Sequence, residues 1–173
     1  MGLSNKLLRC IDNLPMINHT VNAAVKSNLN DIYIVTGYES DRIKKTLFNF
    51  DVKFIRNTNW EIGMASSISV GLQKVKSFSD GLIIILGDMP LLEVHIINSL
   101  IKNFRNDKII IPTKNGKKGN PIIFPAHFFR DLESLKGDVG AKLFIESNQN
   151  HTLNMEVSSN SIFYDFDIEE HFK

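Results

Sequence analysis

The sequence predicts a single α/β domain with a mostly parallel sheet covered by helices on both faces. Three observations carry this. Segments of strand character alternate with segments of helical period along the chain, and strands separated by helices pair in parallel. The apolar run Leu82-Ile83-Ile84-Ile85-Leu86 stops at Gly87-Asp88-Met89-Pro90, the pattern of a strand buried on both faces. A length of 173 residues suits one sizeable core, so residues 1–173 read as one domain.

The elements follow in order. Residues 15 to about 26 read as a helix with Ile17, Val21, Ala24 and Val25 on one face. Residues 32–36 are a strand ending at Gly37-Tyr38. Ser40 or Asp41 can cap a helix running to about Phe48, with Ile43 and Leu47 inward. Residues 52–55 form a short strand, and a polar loop runs from Arg56 to Gly63. Met64, Ile68, Leu72 and Val75 mark a helical stripe. The apolar strand ending at Asp88 comes next. Val94, Ile97, Leu100, Ile101 and Phe104 then repeat at helical spacing. Residues 108–112 are a strand, 115–120 a turn, and 121–124 a further strand. A short helix around residues 128–133 precedes Gly137-Asp138. A helix over 139–146 turns Leu143 and Phe144 inward. Strands near 153–157 and 162–166 and a short helix end the chain. The plan is close to Rossmann-like.

Composition excludes several classes. Apolar content of 43% and charged content of 23% are ordinary for a globular domain. A net charge of +1 gives no nucleic-acid or membrane footprint. No apolar run approaches the roughly 20 residues of a membrane helix. The lone Cys10 cannot close an internal disulfide, which fits a reducing compartment, and the sequence reads as cytoplasmic. The histidines show no metal-ligand spacing; His19 and His95 read as structural or solvated. A Gly-x-Gly-x-x-Gly fingerprint is absent, which counts against a dehydrogenase.

Asp88 stands where an open α/β sheet places its ligands, outside the carboxyl end of a strand. A carboxylate there can hold a divalent cation against a phosphate, or it can shape a turn or cap the next helix. A glycine-rich phosphate loop normally follows the first strand of a nucleotide-binding domain. This sequence passes from Met1-Gly2 almost directly into a helix, with neither that strand nor that loop.

Several blocks resemble one family. Gly2-Leu3-Ser4-Asn5-Lys6-Leu7-Leu8 resembles the tail of the nucleotidyltransferase signature Leu-Ala-Ala-Gly-x-Ser-x-Arg-Met-Gly-x-x-Lys-x-Leu, with Met1 on its internal methionine. Val35-Thr36-Gly37-Tyr38 resembles the end of the family's second strand. Asn57, Trp60, Gly63, Met64, Ser66 and Ser67 resemble Asn-Pro-x-Trp-x-x-Gly-Met-x-Ser-Ser, with Thr58 in place of the proline. Gly87-Asp88-Met89-Pro90 matches the metal-binding segment. Gly116-x-x-Gly119-Asn120-Pro121, Gly137-Asp138-x-Gly140-Ala141 and Asp165-x-Asp167 resemble later blocks. The chain is thus similar to the molybdenum cofactor guanylyl- and cytidylyltransferases, with the cytidylyltransferase branch nearer. The resemblance also leads to the expectation that the true polypeptide begins upstream of Met1.

The resemblance implies transfer of a nucleotide monophosphate from CTP (or GTP) to molybdopterin phosphate, with release of pyrophosphate. It implies Mg²⁺ held by Asp88 and Asp167, with Asp165 as the fallback for the latter. Lys6 and Asp88 would be catalytic. Lys6, Asn57, Gly63, Met64, Ser66, Ser67 and Asp88 would bind the nucleotide. Gly119, Asn120, Pro121 and Asp138 would bind the acceptor. Mg²⁺ prefers one or two carboxylates plus phosphate and water, and lysine suits a mobile phosphate contact.

Each residue also has a plainer reading. Asp167 can cap the last helix, Asp138 can be an N-cap before it is a substrate contact, and Lys6 can be simply solvated. Ser66 and Ser67 can be ordinary first-turn residues, though a helix N-terminus there offers N–H groups. Trp60 can stack on a base or pterin, or form a wall of the crevice. Lys117 and Lys118 can be solvated or can meet an anionic phosphate. Two alternative functions stay open. One is transfer to another phosphorylated small molecule, such as a sugar, polyol or choline phosphate. The other is an inactive relative that binds a cofactor or a molybdoenzyme as a carrier or chaperone.

Overall fold

The computed structural model describes residues 5–137 and 141–165. The first element is a 3₁₀ turn, Lys6–Leu8, capped by Asn5, whose Oδ1 accepts from the Leu7 amide at 3.1 Å. A small hairpin of β1 (Cys10–Ile11) and β2 (Leu14–Pro15) leads into α1 (Met16–Val25). Then come β3 (Tyr33–Thr36), α2 (Ser40–Thr46), β4 (Lys53–Arg56), α3 (Met64–Val75), β5 (Gly81–Ile84) and α4 (Val94–Lys102). The rest is β6 (Ile109–Lys114), β7 (Lys117–Lys118), β8 (Ile122–Pro125), α5 (Phe129–Glu133), α6 (Lys142–Ser147) and β9 (Thr152–Glu156). The α/β alternation predicted from the sequence is present.

Strand pairing is mixed where the sequence predicts a mostly parallel sheet. β3 and β4 pair in parallel as a sheet of their own. In the larger sheet β8 runs antiparallel to β5 and β6, while β9 runs parallel to β6. The cause is local. Asn115 and Gly116 both hold positive φ, at 51° and 75°, so the chain reverses in a two-residue hairpin from β6 into β7. Asn-Gly suits that turn because both central residues must be left-handed. β6 therefore reaches β8 without a crossover helix, whereas β9 arrives after α5 and α6 and is parallel.

Helices cover the larger sheet on both faces, and the core divides accordingly. Ile110 and Ile123 point to one face, where they pack with Ala23 of α1 and with Ile96, Ile97 and Leu100 of α4. Ile109, Ile111 and Phe124 point to the other, against Leu72 of α3, Leu132 of α5 and Ile145 of α6. This is the period-2 alternation of a strand read out as two hydrophobic layers. A third cluster joins Ile17 and Val21 of α1 to Ile43 and Leu47, with Leu7, Leu8 and Ile34 packed against it.

The run at residues 82–86 departs from its reading as fully buried. Leu82 and Ile84 join one layer and Ile83 and Ile85 the other, as alternation requires. Yet all of them are half-buried, while Ile109, Ile110 and Ile111 of β6 are buried completely. Among the described residues, no strand pairs with the second edge of β5 or of β3, so their side chains lack cover along that edge.

Other boundaries shift for identifiable reasons. Glu39, at φ 52°, is the N-cap of α2, and Ser40 lies inside the helix, where its hydroxyl meets Thr36 Oγ1 at 2.7 Å. Leu143 is 59% exposed; Phe144 packs on the core as expected, beside Phe124 and Phe128, and Ile145 is the buried residue of α6. Met64 is exposed, and Ala65 takes the inward place in the first turn of α3. Of the strand expected at 162–166, residue 166 lies outside the described residues, and the described part begins in a 3₁₀ turn, Ser161–Phe163, whose Ile162 carbonyl accepts from the Asn120 amide at 2.9 Å. Its backbone bond goes to a loop rather than to a ladder.

Candidate functional site

Asp88 is held by what surrounds its neighbours. The Gly87 carbonyl accepts from Thr20 Oγ1 of α1 at 3.1 Å. A Cβ on Gly87 would lie 3.0 Å from Ile17 Cδ1, so glycine lets α1 approach the backbone here. Met89 is buried in the α1–α4 layer. With both neighbours fixed, the Asp88 side chain stays 17% exposed, and Lys6 Nζ donates to its Oδ2 at 2.6 Å. The two residues lie 82 positions apart in sequence. The structure thus joins the two side chains that the sequence singles out for chemistry.

The fit of a divalent cation follows from this donor set. Asp88 offers one partly exposed carboxylate, and among the described residues no group of three His, Cys, Asp or Glu side chains gathers around a common point. A single carboxylate suits Mg²⁺, which takes the rest of its shell from phosphate and water, and does not suit an all-protein cage. Asp167, predicted as the second carboxylate, lies outside the described residues, as does Asp138. Asp165 lies within them and lines a cavity described below.

The segment from Asn57 to Ser67 is organised around one buried amide. Asn57 is 1% exposed. Its Nδ2 donates to Ser66 Oγ at 2.8 Å and to Ser67 Oγ at 3.0 Å, and its Oδ1 accepts from the Asn59 amide at 2.9 Å. Both amide hydrogens are therefore satisfied inside the protein. Asn57, which the sequence suggests for a nucleotide contact, ties β4 to the first turn of α3. Gly63 is the N-cap of α3 at φ 116°, a backbone conformation that side chains disfavour. The Ala65 amide donates to the Gly137 carbonyl at 3.1 Å and the Ser66 amide to Gly63, so these N–H groups of the α3 N-terminus have protein partners.

Trp60 sits in a 3₁₀ turn, Trp60–Ile62, and packs on the backbone of Gly37, where any Cβ would overlap its side chain. It remains 38% exposed and faces Tyr38 with ring centroids 5.5 Å apart and planes tilted 50°. The Tyr38 carbonyl lies 3.5 Å from Asn5 Nδ2, one residue before Lys6. Tyr38 carries no motif signal of its own beyond its place after Gly37 at a strand end.

A cavity of about 180 Å³ borders the segment that carries Asp88. Leu86 and Met89, which flank Gly87-Asp88, form part of its wall, with Lys117, Lys118, Gly119, Asn120 and Asp165 around it. Lys117 Nζ stands 5.0 Å from the centre of the Phe163 ring, which steers its ammonium. A Cβ on Gly119 would lie 2.6 Å from the Ile162 carbonyl oxygen, so the loop can run this close only as glycine. The Asn120–Pro121 peptide is cis. The predicted acceptor loop therefore does border the Asp88 segment.

His19 and His95 are as the sequence suggests. His19 Nε2 is 2.9 Å from the Ile11 carbonyl, and His95 lies exposed beside Glu93. Cys10 is an exposed free thiol. Among the described residues no helix is long and apolar enough to cross a membrane.

Comparison with known proteins gives this geometry a family. The chain is similar to the 3-deoxy-manno-octulosonate cytidylyltransferase of Fusobacterium nucleatum, with 33% identity over 61% of this chain and 42% of that protein. It is similar to the molybdenum cofactor cytidylyltransferase of Escherichia coli, with 28% identity over 70% of this chain and 65% of that protein. The chain thus spans less than two thirds of the length of either relative. Its fold matches the crystal structure of the manganese complex of Rv0371C from Mycobacterium tuberculosis, with a TM-score of 0.85 and 17% identity over 96% of this chain and 88% of that one. The model of the MobA-like NTP transferase domain matches residues 1–153, and the chain belongs to that family of nucleotidyltransferases.

Proposed function

We propose that this protein transfers CMP from CTP to the phosphate of molybdopterin, releasing pyrophosphate, and that its product passes to a molybdoenzyme. The observation that carries the reading is the Lys6–Asp88 pair at 2.6 Å, set beside a cavity with two lysines on its rim. The family supports nucleotidyl transfer. The molybdenum cofactor relative supports the acceptor, and two cytidylyltransferase relatives support the base.

Asp88 would hold Mg²⁺. The ion, when bound, neutralises charge on the triphosphate and polarises its α-phosphorus. This chain's own residues do the rest. Lys6, on a side chain 40% exposed, can swing from Asp88 to a phosphate oxygen and offset charge on the leaving group. The Asn57–Ser66–Ser67 network fixes the nucleotide-side loop in advance of binding. Lys117 and Lys118 attract the anionic acceptor, and Gly119 and Asn120 shape its seat. An acceptor phosphate oxygen attacks the α-phosphorus. The bond from that phosphorus to the bridging oxygen breaks, and pyrophosphate leaves with the electron pair. Transfer of this kind depends chiefly on positioning and charge neutralisation.

The test is pyrophosphate release from Mg-CTP with molybdopterin, in the natural sequence and in Asp88→Asn. Full activity in the variant would refute the metal assignment. The 33% identity to a cytidylyltransferase of a sugar acid favours a second reading, in which the acceptor is a different small anion. An acceptor panel run beside molybdopterin separates the two.

A further inference from the structure

We infer that Tyr38 and Trp60 form the stacking platform for the nucleobase of the nucleoside triphosphate. This deepens the reading of the protein as a nucleotidyltransferase and rests on it. Four observations lead there. First, both rings are partly open, Tyr38 at 48% and Trp60 at 38%, although each belongs to a tightly organised segment. Second, one face of Trp60 is fixed. It lies on Gly37, the residue at which a side chain would collide with it, so the area the indole leaves exposed is turned away from that backbone. Third, the two rings are 5.5 Å apart and tilted by 50°, so a flat ring lying on one meets the edge of the other, an arrangement aromatic groups favour.

The fourth observation identifies the occupant. The Tyr38 carbonyl is 3.5 Å from Asn5 Nδ2, and Asn5 precedes Lys6, whose ammonium is on Asp88. An aromatic pair next to a cation and a carboxylate is complementary to a molecule with a flat ring at one end and phosphates at the other. The cavity beside the Asp88 segment is lined by Leu86, Met89 and the loop at 117–120, and neither Tyr38 nor Trp60 borders it. The two parts of the site are thus separate, one for a base and one for an acceptor. Stacking of this kind tolerates any base, since every base has a π-face. The platform holds the nucleotide and contributes little to the choice between cytosine and guanine.

Trp60 is the single tryptophan of the chain, so its emission reports the platform directly. The intact protein is titrated with Mg-CTP, Mg-GTP, cytidine and ribose 5-phosphate, with calorimetry alongside. CTP, GTP and cytidine are expected to quench Trp60 saturably, and ribose 5-phosphate to leave it unchanged. Tyr38→Ala, at an exposed position, is expected to weaken CTP binding about tenfold or more, in keeping with the loss of one base–aromatic stack. Trp60→Phe is expected to keep most of the calorimetric affinity, and Trp60→Ala to lose it. Circular dichroism guards against misfolding of the latter. If CTP binds calorimetrically with no change in emission and with equal affinity in Tyr38→Ala, the platform is wrong and the transferase reading stands. If CTP quenches Trp60 but no acceptor yields pyrophosphate, the transferase reading fails while the platform survives as a nucleotide site. If CTP does not bind at all, both fall.

Discussion

Replacing Asn57 with alanine tests whether the nucleotide-side loop is preorganised by a buried amide. The change removes three side-chain hydrogen bonds, two given to Ser66 and Ser67 and one received from Asn59. Each contributes about 1 kcal/mol net, and a buried partner left unsatisfied costs more. Ser66 keeps its contact with the Gly63 carbonyl at 2.8 Å, so its hydroxyl is not orphaned. The expected destabilisation is about 2–4 kcal/mol on these values. For a domain of this size that is a fall in Tm of roughly 5–15 °C. Urea unfolding followed by circular dichroism reads it, and the midpoint should move with the slope unchanged. A double-mutant cycle with Ser67→Ala should show coupling above about 0.5 kcal/mol, since the two side chains share a bond. A shift below about 0.5 kcal/mol, which is the range of ordinary surface substitutions, would refute the reasoning. Asn57 would then be available to a ligand after all.

The remaining predictions concern the Asp88 segment, the acceptor loop and the core. Lys6→Met removes the cation that balances Asp88, so Mn²⁺ should bind more tightly by calorimetry while the KM for CTP rises; weaker Mn²⁺ binding would show that Lys6 does not compete for the carboxylate. Gly119→Ala forces a Cβ against the Ile162 carbonyl and should raise the acceptor KM with little change in the KM for CTP. Phe124→Ala empties a fully buried site in the α3–α5 layer and should cost about 3–5 kcal/mol in urea unfolding, whereas Phe48→Ala, at an exposed ring, should change stability by less than about 0.5 kcal/mol.

Which parts of this molecule could be read from sequence follows from the range of the interactions involved. The helical stripe at Ile97 and Leu100 and the apolar strand over 108–112 are short-range patterns, and both appear in the core as predicted. Asn115-Gly116 also carried its turn in its two letters, yet its consequence did not show: a hairpin there makes β8 antiparallel, and that changes the sheet as a whole. The exposure of Leu143 and the half-burial of residues 82–86 depend on what lies opposite them, which periodicity does not encode.

The same distinction separates the two kinds of site residue. Asp88 was marked by chain geometry, a carboxylate after a strand, and Gly119 by its motif, and the structure sets Gly119 in one cavity with Leu86 and Met89 from the Asp88 segment. Asn57 was marked by the same motif that marked Ser66 and Ser67, but the motif could not tell a residue that meets a ligand from one that holds another residue in place. Burial adds what the motif lacks: both Asn57 amide hydrogens go to neighbouring hydroxyls, so the side chain holds the first turn of α3 in place. Tyr38 is the reverse case. It falls in a block that marks only a strand end, and its significance comes from the ring opposite it, 22 residues later in the chain. A short motif therefore locates a site more reliably than it assigns roles within it. Roles depend on which polar and aromatic groups the fold leaves unsatisfied once it has closed.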